Sequence, residues 1–224
     1  AMRSAFCLTL LACQLSPADA PAGPWLREEG TTFISSSFSA TYFYDLSQST
    51  YIEYGLRETL TLGFDLNTAQ SRFGQQSGHA TVFLRLPLGE PTELGRWAYD
   101  IGAGASWSGD LISSHLRAGL SWGRGFTLGA RNGWLTVDTS ARWEFGFSQE
   151  VIKIDSTAGL DFTPVTTGMA QVFLTYTGGE TYAKFAPSIV LSPSFSKYRL
   201  QLGSEIPIDA PENTALTLSL WREF

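Results

Sequence analysis

Beyond residue 13 the chain has no cysteine; Cys7 and Cys13 are its only thiols among 224 residues. A disulfide or a thiolate metal site in residues 14–224 is therefore excluded. Histidine is equally scarce, with His79 and His115 the full complement. Two imidazoles among scattered carboxylates do not make a metal-ligand set, so neither a metal nor another cofactor is expected. After the first twenty residues no apolar run reaches about eighteen residues, so no hydrophobic membrane helix is expected. No segment carries a convincing helical period either. Basic charge is not in excess: 15 Lys and Arg face 21 Asp and Glu, a formal charge of −6, which gives a nucleic-acid partner no support. Phosphate-binding loops, dinucleotide fingerprints, DNA-binding motifs and acidic calcium loops are all missing.

The chain opens with Met2-Arg3, a largely apolar stretch over 4–15, and then Ser16-Pro17-Ala18-Asp19-Ala20. This order reads as a secretory signal too short to span a membrane as a helix. Cleavage after Ala20 would leave Pro21 first, which suits a signal peptidase poorly. Cleavage after Ala22, with Ala20 at minus three, fits better. Leu10-Leu11-Ala12-Cys13 partly matches a lipoprotein box, with Leu11 atypical there, so lipidation at Cys13 stays open. Residues 1–22 are expected to be removed and 23–224 to form one domain.

Glycine (22) and aromatic residues (7 Trp, 8 Tyr, 15 Phe) are abundant, which suits many strands joined by tight turns. A mean hydropathy of −0.01 conceals a strong alternation. In the last stretch Leu216, Leu218 and Leu220 share one face, and Thr217 and Ser219 the other. A period of two is a strand with one apolar and one polar side. The same pattern predicts strands over 32–44, 50–56, 59–67, 79–88, 97–107, 114–126, 134–145, 151–163, 169–177, 181–191, 198–208 and 214–224. The total is twelve if 51–66 is split at Arg57-Glu58 and eleven if it is not. The stretch 67–78 reads as a polar loop, the only one long enough to cross a barrel mouth. Asn132-Gly133 is a turn signal.

The strand that ends in Phe224, and the phrase running from Glu53-Tyr54-Gly55-Leu56-Arg57-Glu58 to Gly63, resemble Gram-negative outer-membrane β-barrels. The first resembles their closing strand and the second their short periplasmic hairpins. The resemblance covers nearly all of residues 23–224 and implies an all-β fold: a transmembrane antiparallel up-and-down β-barrel of twelve strands. It further implies a bacterial outer-membrane location, Phe224 as the assembly signal, and contact with outer-membrane lipid, lipopolysaccharide and the barrel-assembly machinery. A soluble sandwich is the rival all-β reading. Trp97 with Trp107, and Trp134 with Phe145, bracket two strands in the manner of membrane-interface girdles, which favours the barrel.

With that facing, the interior carries the acids Glu53, Asp65, Asp100, Asp138, Glu144, Asp155, Asp161 and Glu205, and the bases Arg85, Arg117, Arg142, Lys153, Lys184 and Arg199. Charges in phase with polar residues belong away from lipid. They can pair and fill a narrow lumen, or line a water-filled passage. Small inward residues, Gly102, Gly104, Ser106, Gly119, Ser121 and Gly123, leave space beside two strands. The leading function is a narrow channel or transporter for a small polar solute. A structural or biogenesis-accessory barrel and a lipid-modifying hydrolase are the alternatives. Asp110, Ser113, Ser114 and His115, with His79, contain the residue types of a hydrolase triad, but the spacing fixes no geometry. The His-x-Ser-Asn-Gly run of outer-membrane lipid hydrolases is absent at both histidines, so the weight falls against an enzyme.

Overall fold

The computed structural model describes residues 23–224; the expected secretory signal, its cleavage point and Cys13 lie outside the described residues. Twelve strands follow one another: β1 (Thr32–Thr41), β2 (Leu46–Arg57), β3 (Leu60–Gln70), β4 (Gln76–Pro87), β5 (Arg96–Ser108), β6 (Leu111–Leu128), β7 (Arg131–Glu144), β8 (Gln149–Thr163), β9 (Thr166–Thr177), β10 (Glu180–Leu191), β11 (Tyr198–Pro207) and β12 (Ala215–Glu223). Each pairs antiparallel with its neighbours in sequence, and β1 pairs with β12, so the sheet is a closed barrel. Closure removes every strand edge and satisfies the backbone without water, as a hydrocarbon setting demands. At the seam Ser37 lies opposite Ser219, and Thr32 N donates to Phe224 O at 2.7 Å. The rim holding Thr32 and Phe224 is the terminal rim; the opposite one is the distal rim.

The split at Arg57-Glu58 stands: β2 ends at Arg57 and β3 begins at Leu60, with an irregularity between Gly55 and Arg57. The twelve-stranded count and the antiparallel barrel are as expected. At the distal rim Gly178 and Gly179, with φ of 61° and 85°, make the two-residue reversal between β9 and β10. Both left-handed positions favour glycine, and that twist matches the flanking strands.

The outer face is apolar. Ile101 is 55% exposed, Phe38 49% and Leu216 73%, an arrangement that suits hydrocarbon and would be costly in water. Inward positions are polar over most of the circumference, and Phe33, Trp134, Met169, Val190 and Trp221 form one buried apolar cluster among them.

Three expectations change. The stretch 67–78 is mostly ladder, with Asn67 opposite His79 and Gln70 opposite Gln76, and only 71–75 turns. Backbone pairing is indifferent to side-chain polarity near a rim, so a polar run need not be a loop. No segment of that link is left to cross the mouth. The turn expected over 108–113 shrinks likewise to 109–110. Trp134 is not a girdle residue: it is buried on the inward face, in phase with Thr136 and Asp138, whereas Trp97 and Phe145 do face outward.

Candidate functional site

One wall of the lumen is filled by a charge network. Glu53 on β2 is fully buried and bonds Arg85 on β4. Arg85 also faces Asp100 on β5 at 3.7 Å, and Asp100 faces Arg117 on β6 at 3.3 Å. Arg117 reaches Asp65 on β3 at 3.4 Å. The ring of Phe83 lies under both guanidiniums, 5.3 Å from Arg85 and 5.0 Å from Arg117. Gly63 faces that ring across the strand pair, where any side chain would collide with it. The facing is set by strand phase and the partners by register: Glu53 and Arg85 are 32 residues apart.

The third guanidinium of this network comes from ahead of the first strand. Residues 23–31 fold back into the terminal end of the lumen as a strap. Arg27 is 4% exposed; its Nε donates to Glu53 Oε2 at 2.8 Å and its Nη1 to Glu223 Oε1 at 3.4 Å. Its backbone N–H donates to Thr61 Oγ1 at 3.0 Å, and Arg85 Nη1 donates to Gly23 O at 3.1 Å. Gly30 and Thr31 bond the backbone of Gly55. Trp25 packs on the apolar cluster and against Gly123, where an added Cβ would lie 2.6 Å from its ring. Sequence reasoning missed the strap because it has no period. The available signal was Gly23-Pro24-Trp25-Leu26-Arg27, an aromatic and a base crowded directly ahead of a strand.

The hydrolase candidates are not brought together. Asp110 sits in the β5–β6 turn, Ser114 is on the exposed face of β6, and His115 is buried on the opposite face. Ser113 Oγ accepts from Gly146 N–H at 2.7 Å and donates to Ser114 O at 3.1 Å. His115 instead bonds Ser106 through Nδ1 and Thr81 through Nε2, both at 2.9 Å. Ser106 gives its only proton to Glu144 Oε1 at 2.8 Å, so it accepts from His115. That leaves the imidazole no role as base toward Ser106. His79 faces Asp65 at 3.5 Å. Arg142 pairs with Glu144 at 2.9 Å.

The space lies on the other side, lined from β7–β12 and β1–β3, and not beside β5 and β6 as expected. Phe83, His115 and Asp100 occupy the room next to Gly102, Gly104 and Gly119. A chamber of about 510 Å³ lies at mid-barrel. Toward the distal rim it shares Ser39, Ser47, Lys184 and Glu205 with a cavity of about 440 Å³. Toward the terminal rim it shares Phe33 and Trp221 with one of about 490 Å³, which Arg27 and Arg199 also line. The three form a series divided at Phe33 and Trp221. Lys184 and Glu205 pair at 3.0 Å, and Lys153 faces the chamber. Asp138 lies opposite Asp155 across β7–β8, and Asp161 accepts from Thr167 at 2.6 Å. Phe33, Trp134 and Trp221 went unread as lumen residues, although they share strand phase with inward serines and threonines.

No protein-family profile matches this chain, and no curated protein does. Solved structures do match. The COG4313 outer membrane channel from Pseudomonas putida F1 superposes with a TM-score of 0.55 at 12% identity, covering 92% of this chain and 100% of that one. The NanC porin gives 0.53 at 9% identity, covering 86% and 98%. LpxR from Salmonella typhimurium gives 0.52 at 7% identity, covering 86% and 99%. At such identities the likeness concerns the fold.

Proposed function

We propose that this chain, which has the fold of bacterial outer-membrane β-barrels, is a narrow outer-membrane channel for small polar solutes. The observation that carries this is the one-sided lumen. Three carboxylates, Glu53, Asp65 and Asp100, neutralise three guanidiniums, Arg27, Arg85 and Arg117, on one wall. The other side keeps cavities in series from rim to rim. Twelve strands fall between barrels filled by side chains, at about eight, and wide pores at about sixteen. The apolar division at Phe33 and Trp221 acts as a gate by disfavouring water, and the strap narrows the terminal end.

Planar-bilayer recording tests the reading. Discrete, small conductances with weak preference between cations and anions are expected, since the filled wall is neutral and Lys184 is paired. Silent bilayers from protein that is demonstrably folded would remove the channel function.

The distal mouth adds a pH dependence. Asp45, in the β1–β2 turn, accepts from the Arg72 backbone N–H at 2.8 Å and from its guanidinium at 2.7 Å. Arg72 also reaches Asn213 at 3.3 Å and stacks on Phe43 at 4.5 Å, so three links are tied together. The Arg72 backbone bond, then its side chain, hold the Asp45 carboxyl below its ordinary value. A depressed carboxylate stabilises its contact above the unfolded pKa of about 3.9 and loses it as pH falls through the lower folded value. Current noise is therefore expected to rise only in strong acid. Asp45→Asn should show the same noise at pH 7, and a quiet Asp45→Asn channel would detach the loops from the conductance.

A further inference from the structure

We propose that the mid-barrel chamber is a binding site for a neutral polyhydroxylated solute, a monosaccharide or polyol. The proposal deepens the channel reading and rests on it for transit; binding is measured separately.

The chamber's volume, about 510 Å³, falls in the range of small-molecule pockets, roughly 300–1,000 Å³. Its wall differs in kind from the charged wall opposite. β1 alone presents Ser35, Ser37 and Ser39 in one phase, and β2 faces them with Ser47 and Ser49. Some of these groups are already spent: Ser37 donates to Ser219 at 2.7 Å, and Ser39 shares a bond with Thr217 at 3.0 Å. Others are not. Ser35, Ser47, Ser49, Ser204 and Asn67 line the chamber, and their side chains make no hydrogen bond to protein among the described residues. Hydroxyls and an amide can both donate and accept, as the hydroxyls of a polyol do. An ion would be served poorly by this wall. Lys184 and Glu205 are mutually engaged, which leaves Lys153 as the one other charge on the lining among the described residues.

The terminal end of the chamber is aromatic. Phe33, Tyr51, Trp134 and Trp221 close it, with the Tyr51 hydroxyl turned away to Glu53 at 2.7 Å. A ring face is an apolar surface of negative potential that receives polarised C–H groups. A sugar offers both kinds of surface, hydroxyls at its rim and C–H groups on its faces. A serine-lined wall above an aromatic floor meets both at once, where a purely apolar or purely ionic solute would leave one unused. Binding must also be weak enough for release if the solute is to cross.

The test uses the purified barrel in detergent, residues 23–224, and its tryptophan emission, since Trp134 and Trp221 line the site. Glucose should shift the emission with a Kd on the order of 10 mM. Glutamine, a zwitterion of similar size, should not. Asn67→Leu combined with Ser49→Ala should weaken glucose at least tenfold, with the barrel's heat-modifiable gel mobility unchanged to show that it folds. Trp134→Phe should reduce the signal. Equal responses to glucose and glutamine, or none to glucose, overturn the site. Glucuronate binding more tightly than glucose overturns the neutral class and makes Lys153 the determinant. Proteoliposome swelling then separates the two readings. Glucose binding without swelling or conductance keeps the site and ends the channel; conductance without glucose binding does the reverse.

Discussion

Removing residues 23–29 is expected to raise single-channel conductance roughly threefold, because the terminal mouth then has only its own side chains to narrow it. The strap is held inside by bonds to four strands: Arg27 to Glu53, Thr61 and Glu223, and Gly23 to Arg85. Trp25 fills the space beside Gly123, and Pro24 is fully buried. The barrel itself does not depend on the strap for closure, since the ladder runs unbroken from β1 to β12. The deletion should therefore assemble, with less stability, as Glu53 keeps Arg85 as partner. If the deletion does not assemble, Trp25→Ala with Arg27→Ala removes the anchors and leaves the backbone. Planar-bilayer conductance and heat-modifiable gel mobility are the two readouts. Wild-type conductance from a folded deletion variant would place the limiting constriction at Phe33 and Trp221 instead, and Trp221→Ala would then carry the increase.

The strap and the ladder also mark how far the amino acids could be read unaided. Alternation is a local property, so Leu216, Leu218 and Leu220 declare their face without help from the rest of the chain. The same holds for Glu53, Arg85 and Asp100, whose polar phase set their side of the wall. The turn at Arg57-Glu58 was legible because two short apolar-out runs flank it. What alternation does not contain is which inward groups meet. Glu53, Arg85 and Asp100 come together through the stagger of β2 to β5, a property of the closed sheet. Nor does it separate an aromatic at a strand end that faces lipid from one that faces in: Trp97 does the first and Trp134 the second. The polar residues 67–70 and 76–78 misled in the other direction. Near a rim both faces of a strand are polar, the period fades, and only the hydrogen-bonded backbone marks the element. The triad at Asp110, Ser113, Ser114 and His115 dissolved in two ways. Ser114 and His115, as neighbours in a strand, point to opposite faces. Ser113 shares the face of His115, but it is bonded to Gly146 and Ser114 while His115 is bonded to Ser106 and Thr81.

The second large effect concerns Glu53. Its carboxylate is fully buried and stands between two guanidiniums, Arg27 at 2.8 Å and Arg85 in direct contact, each 4% exposed. Glu53→Gln keeps the shape and one acceptor but removes the charge that neutralises both. Truncating one member of a buried ion pair typically costs about 3–5 kcal/mol, since the remaining charge stays out of water without compensation. Asp100 is the next acid along, 3.7 Å from Arg85, and it is already engaged with Arg117, so it relieves only part of the deficit. The expected result is a urea midpoint well below wild type with an unchanged slope, followed by tryptophan emission in detergent. Adding Arg27→Met to Glu53→Gln should recover a large share of the loss, because a buried charge leaves together with its lost partner. A Glu53→Gln loss under about 1 kcal/mol would mean that water reaches these groups as it reaches a surface pair. The wall would then be wet, and its arginines and carboxylates would belong to the passage and carry ions past the strap.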